Sequence, residues 1–174
     1  MASSQAVARK EEAALNELMK QAKEGKPQDE MIFGGWLYNN NTSKKPMKLH
    51  TDKIWSGDFH TKYPAVLEES ASFVQTEKRE NGIKTAVVYS LSTGEDILNQ
   101  YGFLLAWSDS YTEGKHIRKT YGYCGLMEKF RHIDWEKVEK ELDEASSSFT
   151  YYDALSRTSM KAAIHANMIY ADFM

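Results

Sequence analysis

Between residues 83 and 91 the side chains sort by alternate positions. Ile83, Thr85, Val87, Tyr89 and Leu91 fall on one face, and Lys84, Ala86, Val88 and Ser90 on the other. A period of two belongs to a pleated strand, whose successive side chains point to opposite sides of the backbone. Asn81-Gly82 supplies a tight turn before this run and Ser92-Thr93-Gly94 another after it. Tyr101, Phe103, Leu105 and Trp107 then alternate with Gly102, Leu104, Ala106 and Ser108, a pattern apolar enough for burial on both faces. Two strands cannot stand alone in water, so the chain must build larger sheets and cover them.

Short runs over 31–38, 47–55, 70–78 and 115–123, β-branched or aromatic in part and divided by turn residues, read as further strands. Their regular spacing predicts a sandwich or barrel. In the tail, residues 149–155 read as an aromatic strand. Met160, Ala162, Ile164, Ala166, Met168 and Tyr170 alternate as one more, with an Ala-rich helix over 158–170 as the alternative.

Two helices flank this body. Over residues 5–24, Val7, Ala14, Leu15, Leu18, Met19 and Ala22 form a narrow stripe, Lys20 and Lys23 suit the C-terminal end of the helix dipole, and Gly25 and Pro27 stop it. A second helix is predicted at about residues 133–146, with Asp134 as N-cap, Ile133 packing on Val138, and Trp135, Leu142 and Ala145 facing inward. The expected architecture is one domain, mainly β with two flanking helices: an N-terminal helix over 1–26 and a β-sandwich over 27–174.

Composition narrows the function. Lys and Arg total 22 against 25 Asp and Glu, a net charge of −3, which argues against a nucleic-acid partner. Phe103-Leu104-Leu105-Ala106-Trp107 is the longest apolar run found, far below the roughly 20 residues of a transmembrane helix. The first residues lack the form of a secretory signal, and one cysteine, Cys124, cannot form an internal disulfide, so a reducing cytoplasmic location is expected. Gly-rich phosphate loops, CxxC pairs and HExxH are missing, so no metal or cofactor is expected.

The densest polar cluster is His50, Asp52, Asp58 and His60, the basis of an alternative reading as a hydrolase or nuclease, although its spacing matches no metal-ligand pattern. Cys124 reads as a small buried residue. The lysines at 44, 45, 48, 53 and 62 make residues 39–62 locally basic. The larger signal is aromatic, with 10 Tyr, 4 Trp and 7 Phe. Trp107, Tyr111, Tyr121 and Tyr123 lie on or beside two strands, and the Tyr151-Tyr152 pair follows later. Rings with polar tips suit a lipid head group or a carbohydrate. A third reading is an interaction protein that acts as a homo-oligomer through its tail strand or first helix.

Residues 63 to 146 also carry a family likeness. Tyr63-Pro64, Thr85-Ala86-Val87-Val88-Tyr89-Ser90, Gly94-Glu95-Asp96, Leu105-Ala106-Trp107-Ser108, Tyr121 and Ile133-Asp134-Trp135-Glu136-Lys137-Val138 with Leu142 and Ala145 resemble the plant jasmonate-induced protein family. That family is similar in turn to the sphingolipid-binding protein nakanori and more distantly to actinoporins. The resemblance implies an actinoporin-like β-sandwich. It also implies a non-enzymatic protein expressed under hormone, salt or drought stress that recognises a lipid head group or glycan.

Overall fold

The computed structural model describes the backbone of residues 4–174 and the side chains from Lys10 onward. The alternating segments all become strands: β1 (Glu30–Asn39), β2 (Met47–Ser56), β5 (Ser70–Lys78), β6 (Ile83–Ser92), β7 (Gln100–Thr112), β8 (Lys115–Leu126) and β9 (Ser148–Asp153). Two short strands, β3 (Asp58–Thr61) and β4 (Val66–Leu67), join them. They carry too few residues to show a period.

The tail corrects the expected single strand. It folds as a hairpin of β10 (Thr158–His165) and β11 (Met168–Phe173), and a helix does not form there. Ala166 turns the chain at a φ of +53°, a left-handed conformation that alanine seldom adopts and that local sequence therefore does not announce. The turn shifts the phase, so β11 buries Ile169, Ala171 and Phe173 opposite Ile164, Ala162 and Met160, rather than Met168 and Tyr170.

The strands form two sheets, β3-β5-β1-β11-β10-β9 and β4-β2-β6-β7-β8. β1 and β11 run parallel, with Trp36 opposite Tyr170, whereas the remaining pairs are antiparallel. The inner faces meet through Phe33, Leu37 and Phe73 on the first sheet and Val87, Tyr89, Phe103 and Leu105 on the second. Each large side chain so buried contributes roughly 1.5–3 kcal/mol of transfer free energy.

A helix covers each outer face. α1 (Ser4–Lys23) lays Leu15, Met19 and Ala22 on Ile32 and Val74 of the first sheet. Val7, expected on the same stripe, lies outside the residues whose side chains are described. Gly25, at a φ of +73°, ends the helix as predicted. α2 (Trp135–Asp143) is shorter than the expected 133–146, and it packs Val138 and Leu142 against Ala86, Val88, Leu104 and Ala106 of the second sheet. The result is a β-sandwich between two helices.

Candidate functional site

Tyr121 and Tyr123 stand on the outer face of β8, where they pack partly buried beside the cluster under α2. Gly122 between them faces the other way and lets β8 press inward. A Cβ there would come within 2.6 Å of both the Leu104 carbonyl oxygen and the Phe149 ring. α2 is set in place by Asp134, whose carboxylate accepts a hydrogen bond from the Lys137 amide at 3.1 Å, the cap foreseen from sequence.

The 3₁₀ turn Met127–Phe130 adds the next wall. Phe130 rests on Gly102, where a Cβ would lie 2.3 Å from its ring, and stacks on Tyr123 at 5.1 Å and 8°. Lys129, one residue earlier, donates to Asp153 at 2.8 Å and to the Cys124 carbonyl at 3.3 Å, with its ammonium 5.8 Å from the Tyr151 ring centre. Tyr121, Tyr123, Lys129, His132, Asp134, Lys137 and Tyr151 line a cleft of about 400 Å³ between α2 and β8.

Tyr121, Tyr123 and the neighbouring Asp153 are shifted from their ordinary values. Burial pushes the Tyr121 phenol up to about 12, helped by the negative charge of Glu141 and by Tyr123 and Tyr151. Burial also raises Tyr123, more than Lys129 lowers it. Hydrogen bonds from Lys129 and Ser156 hold Asp153 down to about 2. At neutral pH the cleft therefore offers the neutral phenols of Tyr121 and Tyr123, which donate and accept, beside the ammonium groups of Lys137 and of Lys129, the latter paired with Asp153, and the Asp134 carboxylate. Such a lining can stack against an apolar or quaternary-ammonium group and hold an anionic oxygen at the same time.

The aromatic residues expected to act together are divided. Trp107 has no exposed surface, so the expectation that it contacts a ligand is corrected: it lies between the sheets, stacked on Phe73 at 4.6 Å. Tyr111 stands at the far end of β7, edge-on to His116. Tyr121 and Tyr123 are together, with ring centres 6.0 Å apart. Tyr151 joins them, and of the Tyr151-Tyr152 pair it is the one that faces the cleft. Lys129 and Phe130 carried no sequence signal, because their place depends on where Gly102 meets the turn.

The polar cluster does not assemble. Asp52 accepts a hydrogen bond from Tyr63 at 2.7 Å and pairs with Lys62 at 3.3 Å, while β2 and β3, which carry His50 and His60, belong to different sheets. Among the described residues no group of three or more His, Cys, Asp or Glu could hold a metal ion. Cys124 is buried, and burial raises its thiol pKa. No helix among the described residues is long and apolar enough to cross a membrane.

No family model matches the chain, and no curated protein matches it. Its fold is similar to the crystal structure of the lipid binding protein Nakanori, with a TM-score of 0.60 over 93% of this chain and 78% of that one, at 9% sequence identity. At that identity the likeness establishes a shared architecture: two sheets in a sandwich with two helices.

Proposed function

We propose that this protein is a binding module for a lipid head group, received in the cleft between β8 and α2. The observation that carries this reading is the convergence of Tyr121, Tyr123 and Tyr151 with Lys129 and Lys137 on one open cleft of about 400 Å³. Rings take the apolar or cationic part of a head group and the ammonium groups take its phosphate. The fold shared with a lipid binding protein supports the same assignment. A carbohydrate is the second reading, favoured by the same neutral phenols, since sugars stack on rings and exchange hydrogen bonds with hydroxyls. The stress-induced, non-enzymatic role implied by the jasmonate-family resemblance fits a binder in the cytoplasm, and self-association would add avidity to it.

Co-sedimentation with vesicles of phosphatidylcholine or sphingomyelin, alongside a glycan array, tests the assignment. Each ring contact is worth on the order of 1 kcal/mol, so Tyr121→Ala with Tyr123→Ala should weaken binding about tenfold or more. Binding to glycans alone would select the carbohydrate reading. Wild-type protein that binds neither, or a double variant that binds as tightly as wild type, would overturn the assignment to this cleft.

A further inference from the structure

A second cleft, of about 430 Å³, opens between the last turns of α1 and the tip of the β7–β8 hairpin. It has a different chemistry. Lys20, Lys23, Arg79, His116 and Arg118 line it, with Glu30 as its one carboxylate, and Glu30 is already paired with Lys26 at 3.4 Å. Among the described residues no carboxylate lies within ion-pair distance of Lys20, Lys23 or Arg79.

The cationic wall is held in place from beneath. Asp109 is fully buried; it accepts a hydrogen bond from Arg118 Nε at 3.1 Å and lies 2.9 Å from His116 Nδ1. Asp109 pairs across the hairpin with Arg118, and Tyr111 with His116, so these side chains share one face. Tyr111 meets the His116 ring edge-on at 4.9 Å and carries the Arg79 guanidinium 4.8 Å above its own ring. Glu113 and Gly114, at φ of +53° and +77°, form the tight turn that keeps the two strands in this register.

Arg79 is the telling residue. Its Nε is buried without a hydrogen-bond partner, in a molecule that leaves one other buried side-chain polar atom, Trp36 Nε1, in that condition among the described residues. That unpaired Nε is too enclosed to meet a ligand itself, so the fork that fits the paired oxygens of a phosphate is the terminal nitrogen pair of the guanidinium, which the Tyr111 ring holds in place.

We infer that this cleft is a second binding site, for a phosphate monoester, held by the Arg79 fork stacked on Tyr111 and by Arg118, His116, Lys20 and Lys23. The ligand source is either a soluble phosphate or the exposed monoester of an anionic lipid. The site is separate from the tyrosine cleft and does not depend on it.

Nuclear magnetic resonance titration with inorganic phosphate, and flotation with phosphatidylcholine vesicles with or without phosphatidic acid, distinguish the two sources. Phosphate shifting the resonances of Arg79, His116 and Arg118 supports the soluble source. Tighter binding to vesicles that carry phosphatidic acid supports the lipid source. In either arm Arg79→Gln should bind at least fivefold more weakly, Arg79→Lys should recover part of the loss, and Arg131→Gln, an exposed charge control, should bind as wild type. Circular dichroism confirms that each variant folds. Absence of binding in both arms, or Arg79→Gln indistinguishable from wild type, overturns the site. Phosphatidylcholine binding should be unchanged in Arg79→Gln, so failure here is separable from failure of the head-group reading.

Discussion

Trp107 donates its indole N–H to the side-chain oxygen of Gln75 at 2.8 Å, across the buried interface between the two sheets. Gln75 donates in turn to the Thr85 hydroxyl at 2.8 Å, so one amide ties β5 to both β6 and β7. Burying polar groups is tolerable here because the indole and the amide are matched to each other and to the hydroxyl. This explains why the most conspicuous tryptophan in the sequence is a strut of the sandwich.

Gln75→Leu should orphan the indole N–H and destabilise the fold by about 1–3 kcal/mol. Urea unfolding followed by tryptophan fluorescence measures the loss. Vesicle binding of the folded variant should match wild type, since Gln75 and Trp107 lie in the interior and not in the tyrosine cleft.

Two glycines predict an ordered pair of effects. A Cβ on Gly122 meets a backbone carbonyl, which cannot move without parting β7 from β8, whereas a Cβ on Gly102 meets the Phe130 side chain. Gly122→Ala should therefore cost more stability than Gly102→Ala, the latter at about 1–3 kcal/mol. Gly102→Ala should weaken head-group binding as well, because Phe130 supports Tyr123. Thermal unfolding and vesicle co-sedimentation read the two losses separately.

Asp134→Ala removes the α2 cap and should cost about 1 kcal/mol, with Asp134→Ser restoring most of it. Because α2 forms a wall of the tyrosine cleft and both variants remove the Asp134 carboxylate that lines it, the cap's effect is read between them: binding should be weaker in Asp134→Ala than in Asp134→Ser. Urea midpoints and vesicle binding across the three proteins check this.

Asp153 predicts a pH dependence. Its carboxyl is held down to about 2 by hydrogen bonds from Lys129 and Ser156, so the folded state prefers it ionised. The stability it contributes is present above the ordinary carboxylate range and is lost as pH falls through that range towards about 2. Wild type should exceed Asp153→Asn in urea midpoint at neutral pH, and the gap should close near pH 2. A gap that is constant with pH would contradict the Lys129–Asp153 pair.

Leu15→Ala should destabilise by about 2–5 kcal/mol, since Leu15 has no exposed surface beneath α1. Loss of helix signal together with strand signal in one thermal transition would show that α1 melts with the sandwich.

Local patterns made the strands legible. The alternation from Ile83 to Leu91 and from Tyr101 to Trp107 survives in the structure because each side chain's face follows from pleat geometry alone. Asp134 could be read as a cap, and Gly25 as a stop, for the same reason: their effects act within a few residues. The turn at Ala166 was not legible, because nothing in an alanine marks a left-handed backbone.

The amino-acid order by itself thus determined the longer strands from β1 to β9, the two helices, and which ring-bearing residues were available. Tertiary structure alone decided that β11 returns to pair in parallel with β1, that Trp107 turns to Gln75, and that Tyr121 and Tyr123 meet Tyr151 and Lys129. Those outcomes join positions far apart in the chain. They are selected by the packing of whole sheets and helices, where the fit of Phe130 on Gly102 or Arg79 on Tyr111 arises only once both partners are in place.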